Sequence, residues 1–313
     1  MNVPRTNPGA RIMLPLARRL EAFRENLQLA ASISHAARTG SIVQRFLWGA
    51  EIRRTDQLTP AAVSRYLLAL QADGRSPKTL QNHLHAISRF CRYLRGLGIP
   101  VPNPGRDVIL RQPHETPPRY LTDADVRTAL LLARQHRIWP EVCLALSTGL
   151  RLSEMVRLQW ADIDLPGRVL IVRVSKSGRW RAVPLSRPAV TALRIQRWKF
   201  GRRAFVFPAR QTWPGAFRYV DRPRNTSWWL RALRPIQEAI PSFRTLPGRS
   251  TGRGWHLLRH TFASRAAQAG VSLYKLASWL GHSDVRTTQI YAHLQPGFDP
   301  EIERAAPIRE GKE

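Results

Sequence analysis

Apolar residues recur at helical spacing through residues 10–100. In LTPAAVSRYLLAL, Val63, Tyr66, Leu67 and Leu70 fall on one stripe, behind Thr59 as N-cap and Pro60 at the first helical position. SPKTLQNHLHAISRFCRYL repeats the device. Ser76 and Pro77 open a helix whose stripe is Leu80, Leu84, Ile87, Phe90, Cys91 and Leu94. Its other face is polar and basic, with Lys78, Gln81, Asn82, His85, Arg89 and Arg92. The pattern predicts an all-helical N-terminal domain over 10–100.

Periodicity then stops. IPVPNPGRDVILRQPHETPPR holds six prolines, which predicts an extended connector over 101–118. A second domain, 119–297, begins at YLTDADVRTALLLARQH, where Thr122 and Asp125 form a capping box. A helix through PEVCLALSTG, a turn at Gly149 and a helix in SEMVRLQW capped by Ser153 follow. In RVLIVRVSKSGRWRAVPL the period changes to two, which reads as a β-hairpin with Lys176 at its tip. Residues 186–253 predict helices around 187–199 and 227–240 joined by basic loops, with Trp213, Trp228 and Trp229 assigned to the core. Three helices near 254–269, 272–280 and 284–294 close the domain, leaving a tail at 298–313. The expected fold is mainly α with a small antiparallel β-sheet: an all-helical domain followed by an α+β domain.

The 313 residues suffice for two domains with cores of their own, and 43% hydrophobic content excludes a disordered basic tail. Charge changes the picture most. Fifty Lys+Arg against 21 Asp+Glu give +29, which points to a polyanion partner. The basic face of the 77–94 helix is therefore readable either as a solvated face or as one lying along DNA through Lys78, Asn82 and Arg89. Only Lys78, Lys176, Lys199, Lys275 and Lys312 are lysines, so any chemically active lysine comes from these five. Cys91 and Cys143 stand singly in apolar helical contexts, neither a disulfide framework nor a zinc pair. No apolar run approaches the roughly 18 residues of a membrane span, and the N-terminus lacks a signal-peptide core. The expectation is a soluble cytoplasmic protein with no membrane partner.

Several residues have the character of a phosphate site. In GWHLLRHTFASRAAQAG, His256 and Arg259 share a helix face and form a donor pair for an anionic oxygen, or a plain surface pair. His256 and His260 also stand at the i,i+4 spacing of helical zinc sites. The glutamate that accompanies such sites is missing and Arg259 lies between them, so no metal is assigned. Arg151 follows a Gly-Leu turn at the head of a helix, with Glu154 three residues on either to buttress its guanidinium or to favour the helix N-terminus. Lys176 projects from a hairpin tip, where it either swings into a groove or merely solubilises.

Taken in order, TGLRLSE, a lysine in a β-hairpin, HLLRHTFA, LGH and TTQIYAH resemble the tyrosine recombinases, or phage-integrase-type site-specific recombinases. The likeness spans about 119–297, with a helical N-terminal part similar to that family's core-binding domain. It implies that Tyr291 attacks a DNA phosphodiester to give a 3′-phosphotyrosyl link and a free 5′-hydroxyl, without metal, ATP or other cofactor. It further implies that Arg151 and Arg259 neutralise the phosphate oxygens and that Lys176 protonates the leaving 5′-oxygen. On the same footing, His256 is the first choice for the phenolic proton, His282 hydrogen-bonds the phosphate, and Glu154 supports. The form resembled is the two-domain, Xer-like or mobile-element type, a homotetramer on two double-stranded DNA sites, with the tail 298–313 docking between subunits. A type IB topoisomerase-like enzyme and a non-catalytic DNA-binding relative are the alternatives. Neither the target sequence nor any accessory DNA-bending protein is legible.

Overall fold

The protein's structure is a computed structural model that describes residues 14–30, 32–110, 118–173, 180–213, 216–243 and 253–295. The chain divides into two compact units, residues 1–115 and 116–313.

The first unit is helical: α1 (Leu14–Ala30), α2 (Ile33–Gly49), α3 (Pro60–Ala72), α4 (Pro77–Gly96) and the single turn α5 (Pro104–Asp107). Both helix starts marked by proline form as their caps dictate. The Thr59 hydroxyl accepts from the Ala62 amide and the Ser76 hydroxyl from the Thr79 amide, each satisfying an amide that the first turn leaves open. The α4 stripe is buried against α1 and α2, with Phe23 and Phe90 packed edge-on at 5.2 Å. Lys78 and Asn82 are exposed on the opposite face and Arg89 is half-buried. The proline-rich stretch departs from the extended connector expected over 101–118. Val101 is buried and Val108 and Leu110 pack on the helical core, while Arg95 donates to the carbonyls of Val101 and Pro102. Apolar residues between the prolines outweigh the proline content. Residues 111–117 lie outside the described residues.

The second unit comprises α6 (Asp123–Gln135), α7 (Trp139–Thr148), α8 (Leu152–Val156), β1 (Ile163–Asp164), β2 (Val169–Val172), β3 (Arg181–Pro184), α9 (Arg187–Phe200), β4 (Pro208–Trp213), β5 (Ala216–Pro223), α10 (Thr226–Ala239), α11 (Arg253–Gln268), α12 (Leu273–Leu280) and α13 (Arg286–Gln289). Strands β1–β2–β3 form one antiparallel sheet in that order, with Val172 opposite Arg181, and β4–β5 form a separate ribbon. The main core runs from α6 and α7 through β2 and β3 to α9, α10 and α11. Trp229 is fully buried there, edge-on to Phe207 and Trp255 at 5.0 and 5.1 Å. Trp228 is half-buried and Trp213, at 47% exposure, is outside the core altogether, against expectation. It sits on the β4–β5 ribbon, which occupies part of the region expected to be basic loop. A smaller cluster of Ala263, Ala267, Leu276, Leu280 and Tyr291 joins α11, α12 and the chain beyond α13.

Candidate active site

Helix α7 ends at Gly149, whose φ of +62° places it in the left-handed region. A Cβ there would stand 2.4 Å from the Phe262 ring, so close packing as well as backbone conformation demands glycine. The turn delivers Arg151 as N-cap of α8. The predicted Ser153 cap is displaced by two residues because the Glu154 carboxylate itself accepts the Arg151 backbone amide at 2.8 Å. Glu154 also accepts from Arg151 Nη1 at 3.0 Å, so it buttresses the guanidinium and serves the helix start together.

A second corner lies at the end of α12. Gly281, at φ +66°, caps the helix and exposes its last carbonyls. These acceptors are taken by guanidiniums. Arg181 Nε donates to Trp279 O at 2.8 Å, Arg151 and Arg259 both donate to Leu280 O, at 3.3 and 2.8 Å, and Arg151 donates to Gly281 O at 3.3 Å. Arg259 reaches back to Gly149 O at 2.7 Å, tying the two corners together. The negative end of a helix and one buried carboxylate thus gather three like charges that would otherwise repel. Burial, followed by the Arg151 charge, pulls the Arg259 pKa down to about 10, still protonated at neutral pH.

Arg259 Nη2 donates to His282 Nε2 at 3.1 Å, so that nitrogen is the acceptor and the proton resides on Nδ1, which donates to the buried Thr288 hydroxyl at 2.8 Å. Burial and the Arg259 and Arg151 charges hold the His282 imidazole neutral, with a pKa down to about 4. Tyr291 does not lie within a helix reaching from 284 to 294. It follows the single turn α13 and begins a one-turn 3₁₀ helix, Ala292–Leu294. Its side chain is 2% exposed and its hydroxyl hydrogen-bonds His260 Nδ1 at 2.5 Å. The expectation put His256 beside the phenol. His256 is instead exposed, its ring edge-on to His260 at 4.6 Å. Burial pushes the Tyr291 phenol up to about 12, and burial with the His256 and Arg259 charges brings His260 down to about 4, so the phenol is the donor.

Arg151, Glu154, Arg259, His282 and Tyr291 therefore converge from α8, α11, α12 and the chain beyond, while Lys176 and the tail 298–313 lie outside the described residues. Sequence reasoning missed Arg181, which donates to both Glu154 oxygens at 3.0 and 2.6 Å, as well as Thr288 and the pairing of His260 with the phenol. Arg181 did carry a signal. In RAVP it occupies the inward phase of a strand, where alternation calls for an apolar residue. Among the described residues no group of three or more His, Cys, Asp or Glu gathers as metal ligands, and no helix is long and apolar enough to cross a membrane.

Comparison with known proteins places the chain in a family. Residues 119–297 match the model of the phage integrase family. Tyrosine recombinase XerC of Xanthomonas campestris pv. campestris (strain B100) is 32% identical over 308 residues, covering 92% of this chain and 87% of the relative. Tyrosine recombinase XerD of Agrobacterium fabrum is 31% identical over 311 residues, covering 88% and 89%. Among solved structures, a lambda integrase dimer bound to a COC′ core site aligns over 90% of this chain and 96% of that one, with TM-score 0.70 and 15% identity. The Tn1549 transposon integrase in complex with circular intermediate DNA aligns over 92% and 97%, with TM-score 0.62 and 20% identity. At those identities the structures speak for the fold alone. The chain belongs to the phage integrase family, the tyrosine-type site-specific recombinases.

Proposed function

We propose that this recombinase cleaves and rejoins double-stranded DNA at specific sites through a 3′-phosphotyrosyl intermediate on Tyr291. The observation that carries the assignment is the convergence of Arg151, Arg259 and His282 on the carbonyl end of α12, beside a buried phenol whose charge would act on Arg259. In the cleavage step the Tyr291 oxygen attacks phosphorus, and the bond from phosphorus to the 5′-oxygen breaks. The phenolic proton passes to His260, its hydrogen-bond partner, and a proton from Lys176 converts the departing alkoxide to a hydroxyl. Arg151 and Arg259 neutralise charge on the non-bridging oxygens, where fixed donors are worth roughly 10²–10³ each in rate. His256, exposed on the same helix as Arg259, supplies a further donor to the phosphate. Rejoining reverses these steps on a different strand, and the retained ester makes ATP unnecessary.

Exposed Lys78 and Asn82, with Arg89, are proposed to face the DNA from α4. The assembly proposed is a homotetramer on two sites in the cytoplasm, with residues 298–313 docking between subunits. A nicking-closing enzyme of type IB topoisomerase character is not favoured, because relatives named tyrosine recombinase match over about nine-tenths of the chain.

The test uses a duplex selected from a randomised pool by covalent capture on the wild-type chain. Tyr291→Phe is expected to bind that duplex normally and to form no adduct on a denaturing gel. Undiminished adduct in the variant would remove the assignment.

A further inference from the structure

Of the three guanidiniums at the end of α12, only Arg151 and Arg259 are placed at the phosphate by the proposed mechanism. The third, Arg181, is 6% exposed at the first residue of β3. Its Nη1 and Nη2 donate to Glu154 Oε1 and Oε2 at 3.0 and 2.6 Å, and its Nε donates to Trp279 O at 2.8 Å. It also fills the space over Gly281, where a Cβ would come within 2.8 Å of Nη1. Each of these contacts is with something that holds another residue. Glu154 grips Arg151 by both backbone and side chain, and the Trp279–Gly281 corner carries His282. A buried cation is costly to desolvate, and an apolar residue in this inward strand position would pack without that cost. A fork whose bonds, among the described residues, are directed at the supports of two other residues fits an orienting role better than a packing one.

We propose that Arg181 is a positioning residue for strand cleavage: it clamps Glu154 to the carbonyl end of α12 so that Arg151 and His282 are held at one phosphate. The proposal rests on the reading of Arg151, Arg259, His282 and Tyr291 as the cleavage site.

A pH signature follows from the contacts. Burial works against the Glu154 carboxylate, but the Arg181 hydrogen bonds and charge, with the backbone and charge of Arg151, hold its pKa below the usual value. Arg259 also acts on this carboxylate, and His282 lies near the same charges. Without Arg181 the carboxyl group takes up a proton at higher pH, and it then no longer accepts from both the amide and the guanidinium of Arg151. Activity should therefore be lost as pH falls, from a higher starting pH than in the wild type.

The full chain is tested as Arg181→Lys and Arg181→Gln, on the captured duplex, with Tyr291→Phe alongside. Site affinity is measured by gel shift and adduct formation in single turnover across pH. Affinity should stay within about twofold while adduct formation slows about ten- to a hundredfold in both variants. The glutamine variant should also acquire the acid-side loss, which the lysine variant, keeping the charge, should lack. Equal falls in affinity and rate with an unchanged pH profile, or an unchanged rate, would overturn the proposal. If the glutamine variant does not fold, the affinity-against-rate comparison in the lysine variant still decides. Adduct persisting in Tyr291→Phe defeats the site reading itself. Adduct lost there, with Arg181→Lys cleaving at the wild-type rate, defeats the Arg181 role alone.

Discussion

In the proposed cleavage step Tyr291 gives up a proton as it attacks, and its hydroxyl lies 2.5 Å from the His260 ring nitrogen. With the phenol raised to about 12 and His260 lowered to about 4, the proton stays on oxygen at rest, and its transfer belongs to the attack itself. His260→Ala should slow adduct formation about 10²-fold with unchanged DNA affinity. The same variant should change acid stability in a defined direction. An unfolded histidine binds its proton near pH 6.5 and the folded His260 near 4, so the unfolded chain binds more protons within that interval. Stability is then full above about 6.5 and declines as pH drops toward 4. Thermal melts should show a shallower decline in His260→Ala, and an identical slope would argue against a neutral buried imidazole. Arg151, Arg259, His282 and Tyr291 were legible because each sits in a short motif. Arg181, Thr288 and the partner of the phenol were not, because those contacts join residues 6 to 98 positions apart that only the fold brings together.

Elements were legible wherever their ends are set locally. Thr59–Pro60, Ser76–Pro77 and the Thr122–Asp125 box open helices as read, since the Thr59, Ser76 and Thr122 hydroxyls each accept a first-turn amide three residues on and Asp125 accepts the Thr122 amide in return. Reading failed where the environment differs from the pattern's usual one. The β4–β5 ribbon is exposed along most of both strands, so no apolar alternation marks it. The last predicted helix reduces to α13 and a 3₁₀ turn, and that break is what brings Tyr291 inward. The Gly149 turn supports a direct prediction. Gly149→Ala meets a positive φ and the Phe262 ring, and it displaces the carbonyl that holds Arg259. A loss of at least about 2 kcal/mol of stability is expected by chemical denaturation, with cleavage impaired in whatever fraction stays folded. A neutral effect would mean that the turn relaxes at no cost.

For the whole molecule, a charge of +29 makes salt the controlling variable. A recombinase that neutralises about six to ten phosphates should lose roughly 10³–10⁵ in affinity between about 50 and 200 mM salt, with a linear log–log plot. A flat plot would contradict a backbone-dominated interface. The two-core organisation was legible from the two periodic regions on either side of the prolines, whereas the packing of Val101, Val108 and Leu110 onto the helical unit was not, because proline content says nothing of the apolar residues between. The eight-residue helix α12 has a wider consequence. Because Arg151, Arg181 and Arg259 share its terminal carbonyls, none of the three can be repositioned without disturbing the others. A shift of that helix would therefore move the anchors of all three guanidiniums at once.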